Sequence, residues 1–132
     1  MPADEGGREA PDLERFQELV EEALEEFPEQ FLKLIQNVAV IVEEVATPQD
    51  AATAGVRNPI NLLGLYIGVP FTKWGREWSG HLPDVIKIYR LPILAISRND
   101  AEIRNRVRNV VLHELGHRAG LDEERLRELG VF

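Results

Sequence analysis

The chain has 132 residues, of which 44% are hydrophobic and 29% are charged, and its formal net charge is -8 at pH 7. This length and balance predict one compact domain and exclude a disordered or fibrous protein. The negative charge repels phosphate backbones and anionic lipid, so we expect neither nucleic acid nor a membrane surface as a partner.

The first eleven residues are polar, contain two glycines and two prolines, and show no periodicity. They predict a flexible N-terminal segment, followed by a single domain over residues 12–132. This segment lacks the basic and apolar pattern of a signal peptide, and no apolar run approaches the roughly 20 residues of a membrane helix. We therefore expect a cytoplasmic protein.

Apolar residues recur every three or four positions from Leu13, which predicts an amphipathic helix that ends at Pro28. A second short helix is predicted over 29–36. The β-branched, nearly continuous apolar run at 37–45 is typical of a central strand covered on both faces. Residues 47–61 carry Pro, Gly and an Asn-Pro pair, which predict a loop.

Two more strands are predicted, over 62–69 and 84–90. In the later one, alternation places Ile86 and Ile88 on one face. Residues 93–96 are predicted to extend this strand as an edge segment.

The last long helix is predicted over 100–119. Asn99 is in position to cap its N-terminus, and Glu102 stands at the reciprocal position of a capping box. Gly120 suits the C-terminal end of this helix, and a final short helix is predicted over 122–129.

The second half of that helix carries the pattern HExxH at His113, Glu114 and His117. At about 100° and 1.5 Å per residue, the two histidines lie about 40° apart around the axis and about 6 Å apart along it, so both can bind one ion. Glu114 can accept a proton from a metal-bound water without being a ligand. A metal-free helix with Glu114 paired to Arg118 is the alternative, and it would bury polar groups at a cost in free energy.

Zinc is the expected metal, because neutral imidazole suits it and it does not need the thiolate ligands that a chain without cysteine cannot supply. A catalytic zinc usually has three protein ligands. A third ligand more than about twenty residues after His113 would fall beyond Phe132. In the other arrangement, HExxHxxGxxH or HExxHxxGxxD, a glycine ends the helix and a ligand follows ten residues after the first histidine. Gly120 stands at the glycine position and Glu123 at the ligand position, with Asp122 as the main rival and His81 as a further candidate.

The sequence resembles the small bacterial zincin-like metallopeptidase domains. The resemblance rests on VVLHELGHRAGLDEERLREL, LLGLYIGVP, LPDVIKIYRLPI and the acidic helix before NVAVIVEE. It implies an α+β zincin-like fold in which a small mixed β-sheet packs on the N-terminal helix and on the HExxH active-site helix. It also implies zinc-dependent hydrolysis of a peptide or protein substrate, with ligands at His113, His117 and Glu123 and a general base at Glu114.

The only methionine is Met1, so the sequence after Glu123 includes no methionine turn. This departure keeps a second hypothesis open, a catalytically weak or inactive zinc-binding interaction or regulatory module. The oligomeric state is not predicted by any of these patterns.

Several other residues are candidates for contacting a substrate. The hydroxyls of Tyr66 and Tyr89 are candidates to stabilise an oxyanion, with ordinary strand packing as the alternative. The segment from Tyr89 to Ile96 is predicted to pair with an extended peptide. Three aromatic residues in one loop are candidates for the rim of a cleft, with cover of the sheet as the alternative: Phe71, Trp74 and Trp78.

Overall fold

The computed structural model describes residues 10–35, 38–68 and 84–118, and the structural statements below concern these residues. Helices and strands are combined in an α+β arrangement with a small mixed sheet, as the sequence predicts. The elements in chain order are α1 (Leu13–Glu25), α2 (Glu29–Ile35), β1 (Val38–Glu43), α3 (Pro48–Thr53), a 3-10 turn (Pro59–Asn61), β2 (Gly64–Ile67), β3 (Asp84–Tyr89), α4 (Arg90–Ala95) and α5 (Asp100–Arg118).

Helix α1 begins where the sequence predicts. The side chain of Asp12 accepts a hydrogen bond of 2.8 Å from the main-chain amide of Arg15, which satisfies one of the free N–H groups of the first turn. One face of the helix is buried and carries Phe16, Leu19, Val20 and Ala23. The predicted amphipathic helix is confirmed.

The described strands form a three-stranded sheet in the order β1-β3-β2. β1 pairs with β3 in parallel, and β2 pairs with β3 antiparallel. The prediction that β1 is central is wrong for this sheet, in which β3 is central. Ile86 and Ile88 of β3 are fully buried, whereas Ile41 of β1 is 41% exposed.

Two segments differ from their predictions. The predicted loop at 47–61 contains α3, because the Thr47 hydroxyl accepts a hydrogen bond of 3.0 Å from the Asp50 amide and caps a helix. The predicted edge segment at 93–96 lies largely in α4. Pro92 is tolerated there because it falls in the first turn of the helix, where its missing N–H costs no helical bond.

Helix α5 carries the HExxH pattern and packs on the same core as α1. The Asn99 carboxamide accepts from the Glu102 amide at 2.8 Å, which confirms the predicted cap. The Glu102 carboxylate accepts from the amide of Arg98 at 2.8 Å, one residue before the expected partner. The described part of α5 contributes five residues to the hydrophobic core, Ile103, Val107, Val111, Leu112 and Leu115.

Ion pairs fasten α1 to α5 at their solvent edges. Arg15 lies 3.2 Å from Asp100, and Arg104 lies 3.1 Å from Glu22. The hydrogen bond to Glu18 and that to Asp100 raise the pKa of Arg15. Within the ranges that the structure describes, no helix is both long enough and apolar enough to cross a bilayer.

Candidate metal and catalytic site

Helix α5 approaches strand β2 closely at one point. A Cβ atom added to Gly64 would lie 2.5 Å from Cγ1 of Val110 and 3.0 Å from the carbonyl oxygen of Lys87. No side chain fits in that space unless Val110, the helix or the neighbouring strand moves. Glycine therefore lets β2 lie against the helix one turn before Glu114.

Strand β2 also contacts the candidate general base directly. The main-chain amide of Tyr66 donates a hydrogen bond of 3.0 Å to Oε1 of Glu114. In the antiparallel pair, the Tyr89 amide donates to the Leu63 carbonyl, so the amides of alternate residues 64 and 66 point away from β3. Glu114 thus satisfies an outward-pointing amide of the described sheet.

A groove of about 320 Å³ lies between the start of β2 and helix α5. His113 and Glu114 are half-buried in its wall. The rest of the lining is mainly apolar and comprises Leu62, Leu63, Gly64, Asn109 and Val110. The two neighbouring residues of the HExxH pattern therefore border one accessible space.

The backbone suits the predicted metal pair. His113 and His117 belong to one uninterrupted helix at i,i+4 spacing, which places both residues on the same face. Among the described side chains, no three His, Asp or Glu residues are grouped so that they could hold a metal. The predicted ligands Glu123 and His117, with the rivals Asp122 and His81, have side chains outside that part of the chain.

Comparisons with known proteins agree with this architecture. The family model described as zincin-like metallopeptidase matches residues 35–131. The chain belongs to this family. A search of curated proteins finds no match.

This zincin-like chain is also similar to a solved structure, a conserved hypothetical protein from Thermus thermophilus. The two sequences are 28% identical, and the alignment covers 83% of this chain and 94% of the other, with a TM-score of 0.53. The resemblance stated from sequence and the predicted α+β zincin-like fold are both confirmed.

The two tyrosines of the zincin-like domain lie in different places. Tyr66 packs against the main core, and its hydroxyl hydrogen-bonds to the Asp84 carboxylate. Tyr89 is fully buried on the other face of the sheet, where its hydroxyl lies 3.3 Å from Asp50. The suggested oxyanion role of Tyr89 is therefore wrong, because α5 packs on the opposite face. The aromatic residues proposed for the cleft rim, at 71, 74 and 78, lie outside the described residues.

Two features of the site were not found from the sequence, which suggests a role only for the hydroxyl of Tyr66 and none for Gly64. The Tyr66 contact uses a main-chain amide, which no side-chain motif reveals. Gly64 stands inside a predicted strand, and a glycine at such a position often marks close approach of another segment. That signal was available in the run LLGLY.

Proposed function

We propose that this zincin-like domain is a zinc-dependent peptidase with Glu114 as its general base. The observation that carries the proposal is the placement of His113 and Glu114 in the wall of one groove, with the Glu114 carboxylate held by a hydrogen bond from β2. The family match supports metallopeptidase chemistry for this site.

In this proposal zinc is held by His113, His117 and Glu123. When bound, zinc supplies a Lewis acid that polarises the scissile carbonyl and acidifies water. The shared helical face of the two histidines fits such an ion. Asp122 remains the rival for the third position.

Glu114 moves the proton. Its Oε1 atom accepts from the Tyr66 amide, so this hydrogen bond fixes the carboxylate and leaves Oε2 as the proton acceptor. Glu114 takes a proton from the attacking water and passes it to the leaving amine. A fixed carboxylate favours both transfers, since less motion is needed to reach the reactive geometry.

The substrate is proposed to be an extended peptide in the groove beside β2. The prediction that Tyr89 to Ile96 pairs with this peptide is wrong, because residues 90–95 form α4. β2 is the strand next to the candidate base, and Leu62 and Leu63 supply an apolar wall for a side chain of the peptide.

The test is hydrolysis of a fluorogenic peptide library by the full chain loaded with zinc. We expect Glu114→Gln to keep its zinc and to lose at least about a hundredfold in kcat, because general-base catalysis contributes that much. Glu102→Gln is the matched control on the same helix and should keep wild-type turnover. Full activity in Glu114→Gln would refute the assigned role.

The competing hypothesis from the sequence has a separate signature. A zinc-binding interaction or regulatory module would bind zinc and hydrolyse no peptide of the library, even as wild type. That result would contradict the peptidase proposal, whereas turnover by wild type contradicts an inactive module.

A further inference from the structure

We propose that strand β2 is the positioning element of Glu114, with the Tyr66 main-chain amide as the anchor and Gly64 as the spacer that sets its distance from α5. The part of this inference that concerns catalysis rests on the proposed function. The hydrogen bond between Tyr66 and Glu114 does not involve zinc, so it is testable in protein without the metal.

The anchor is a charge-assisted hydrogen bond between a carboxylate and a main-chain amide. The outward direction of the Tyr66 amide is set by the pairing of β2 with β3, and Glu114 is its acceptor at 3.0 Å. A main-chain donor in a paired strand has little rotational freedom. It therefore fixes the carboxylate more firmly than a flexible side chain would.

The spacer acts through the contact of Gly64 with Val110. A Cβ atom at position 64 would meet Cγ1 of Val110 at 2.5 Å. A β-branched residue in a helix resists a change of rotamer, so we expect the helix to move away from the strand. Val110 stands one helical turn before Glu114, so the same displacement moves the carboxylate. The glycine is thus required for the 3.0 Å anchor as well as for packing.

Strand β2 is also bound to β3 through the side chain of Tyr66. The hydroxyl of Tyr66 hydrogen-bonds to Asp84 of the neighbouring strand β3. The side chain and the main chain of one residue therefore connect the sheet and Glu114. This arrangement makes β2 a rigid support for the candidate base.

The first experiment detects the anchor in the full chain without metal. The sequence has two tyrosines, so selective ¹⁵N-tyrosine labelling gives two amide signals, from Tyr66 and Tyr89. We expect Glu114→Ala to shift one signal and to speed its hydrogen exchange at least tenfold. The Tyr89 amide donates to Leu63 and serves as the internal control. Unchanged exchange at both signals would overturn the proposal.

The second experiment tests the spacer. We expect Gly64→Ala to move the Tyr66 signal as Glu114→Ala does, and we expect Gly64→Ala/Val110→Ala to restore most of it. The contact with the Lys87 carbonyl is common to both variants, so their difference isolates the contact with Val110. If Gly64→Ala does not fold, Val110→Ile crowds the same contact more gently. A Tyr66 signal unaffected by crowding would refute the spacer role.

The third experiment connects the anchor with turnover. In zinc-loaded protein, Gly64→Ala should lower kcat at least tenfold with little change in KM, and the double variant should recover kcat. If wild type hydrolyses peptide and Gly64→Ala keeps its kcat, the positioning role is wrong. If wild type hydrolyses no peptide while the amide signals respond as expected, the proposed function fails and the anchor stands.

Discussion

Nζ of Lys87 lies 3.1 Å from the carboxylate of Asp50, on the face of the sheet opposite to α5. The same carboxylate accepts from the Tyr89 hydroxyl at 3.3 Å, and Glu43 lies 3.5 Å from the Lys87 amine. This cluster joins α3 to β1 and β3. The packing of α3 on this face of the sheet therefore depends partly on titratable groups, and its stability depends on pH.

The cluster predicts a loss of stability in alkali. The hydrogen bond with Asp50 raises the pKa of Lys87, and burial, with the nearby carboxylates, raises the pKa of Tyr89. A raised folded-state pKa means that the stabilisation is complete below the unfolded-state pKa, about 10 for both residue types, and is lost as pH rises through the folded value. We expect the free energy of unfolding to fall above about pH 10.

Urea unfolding between neutral pH and about pH 11 measures this loss. Lys87→Met/Tyr89→Phe should lose stability less steeply over the alkaline range, because both shifted groups are gone. Equal slopes in wild type and in the double variant would contradict the assignment.

The N-terminal cap of α5 should contribute measurably to the free energy of unfolding. Asn99→Ala removes the acceptor of the Glu102 amide, and we expect a loss of about 1 kcal/mol in the free energy of unfolding. Chemical denaturation measures it. Asn99→Asp keeps an acceptor and should retain most of the stability, so equal losses in both variants would show that the side-chain cap is not responsible.

The buried face of α5 dominates its attachment to the core. Leu112 stands next to His113 and is 1% exposed. Because its side chain is buried, Leu112→Ala should lower the free energy of unfolding by about 2–5 kcal/mol. Arg106→Ala, on the exposed side of the same helix, should change stability by less than about 0.5 kcal/mol. The two variants are compared by denaturant unfolding. A loss of less than about 1 kcal/mol in the free energy of unfolding of Leu112→Ala would contradict the packing of α5 against the core.

If the groove beside β2 binds the substrate, filling it should weaken substrate binding without changing the metal site. Asn109 lines the groove, and Asn109→Trp should raise KM at least about tenfold by filling it, with zinc content unchanged. Asn105→Trp makes the same substitution one turn earlier, outside this groove, and should keep the wild-type KM. Steady-state kinetics on one cleaved peptide checks both. An unchanged KM in Asn109→Trp would place the substrate elsewhere.

Much of the fold follows from local patterns. The 3.6-residue period predicts α1 and α5, and Asp12 and Asn99 mark their starts because each carries a capping side chain. Alternation predicts which residues of β3 face the helices. These elements were predictable because their apolar periodicity and their caps indicate the same structure.

The sequence-based predictions fail where contacts between distant segments determine the structure. An apolar run does not distinguish a central strand from one at the edge of the described sheet, so the run at 37–45 predicts a central strand where β1 lies beside β3 alone. The apolar residues at 93–96 predict an edge segment beyond Pro92, although a proline also fits the first turn of a helix, which is where Pro92 lies. The anchoring of Glu114 by Tyr66 spans 48 positions and involves a main-chain group, so no local pattern contains it.

The most direct test of the proposed site is the zinc content of the full chain, measured by elemental analysis after reconstitution with zinc. The account predicts near one zinc per chain in wild type and in Asp122→Ala, and almost none in His117→Ala or Glu123→Ala. Zinc retained by Glu123→Ala and lost by Asp122→Ala would transfer the third position to Asp122. Absence of zinc from the reconstituted wild type would contradict the account.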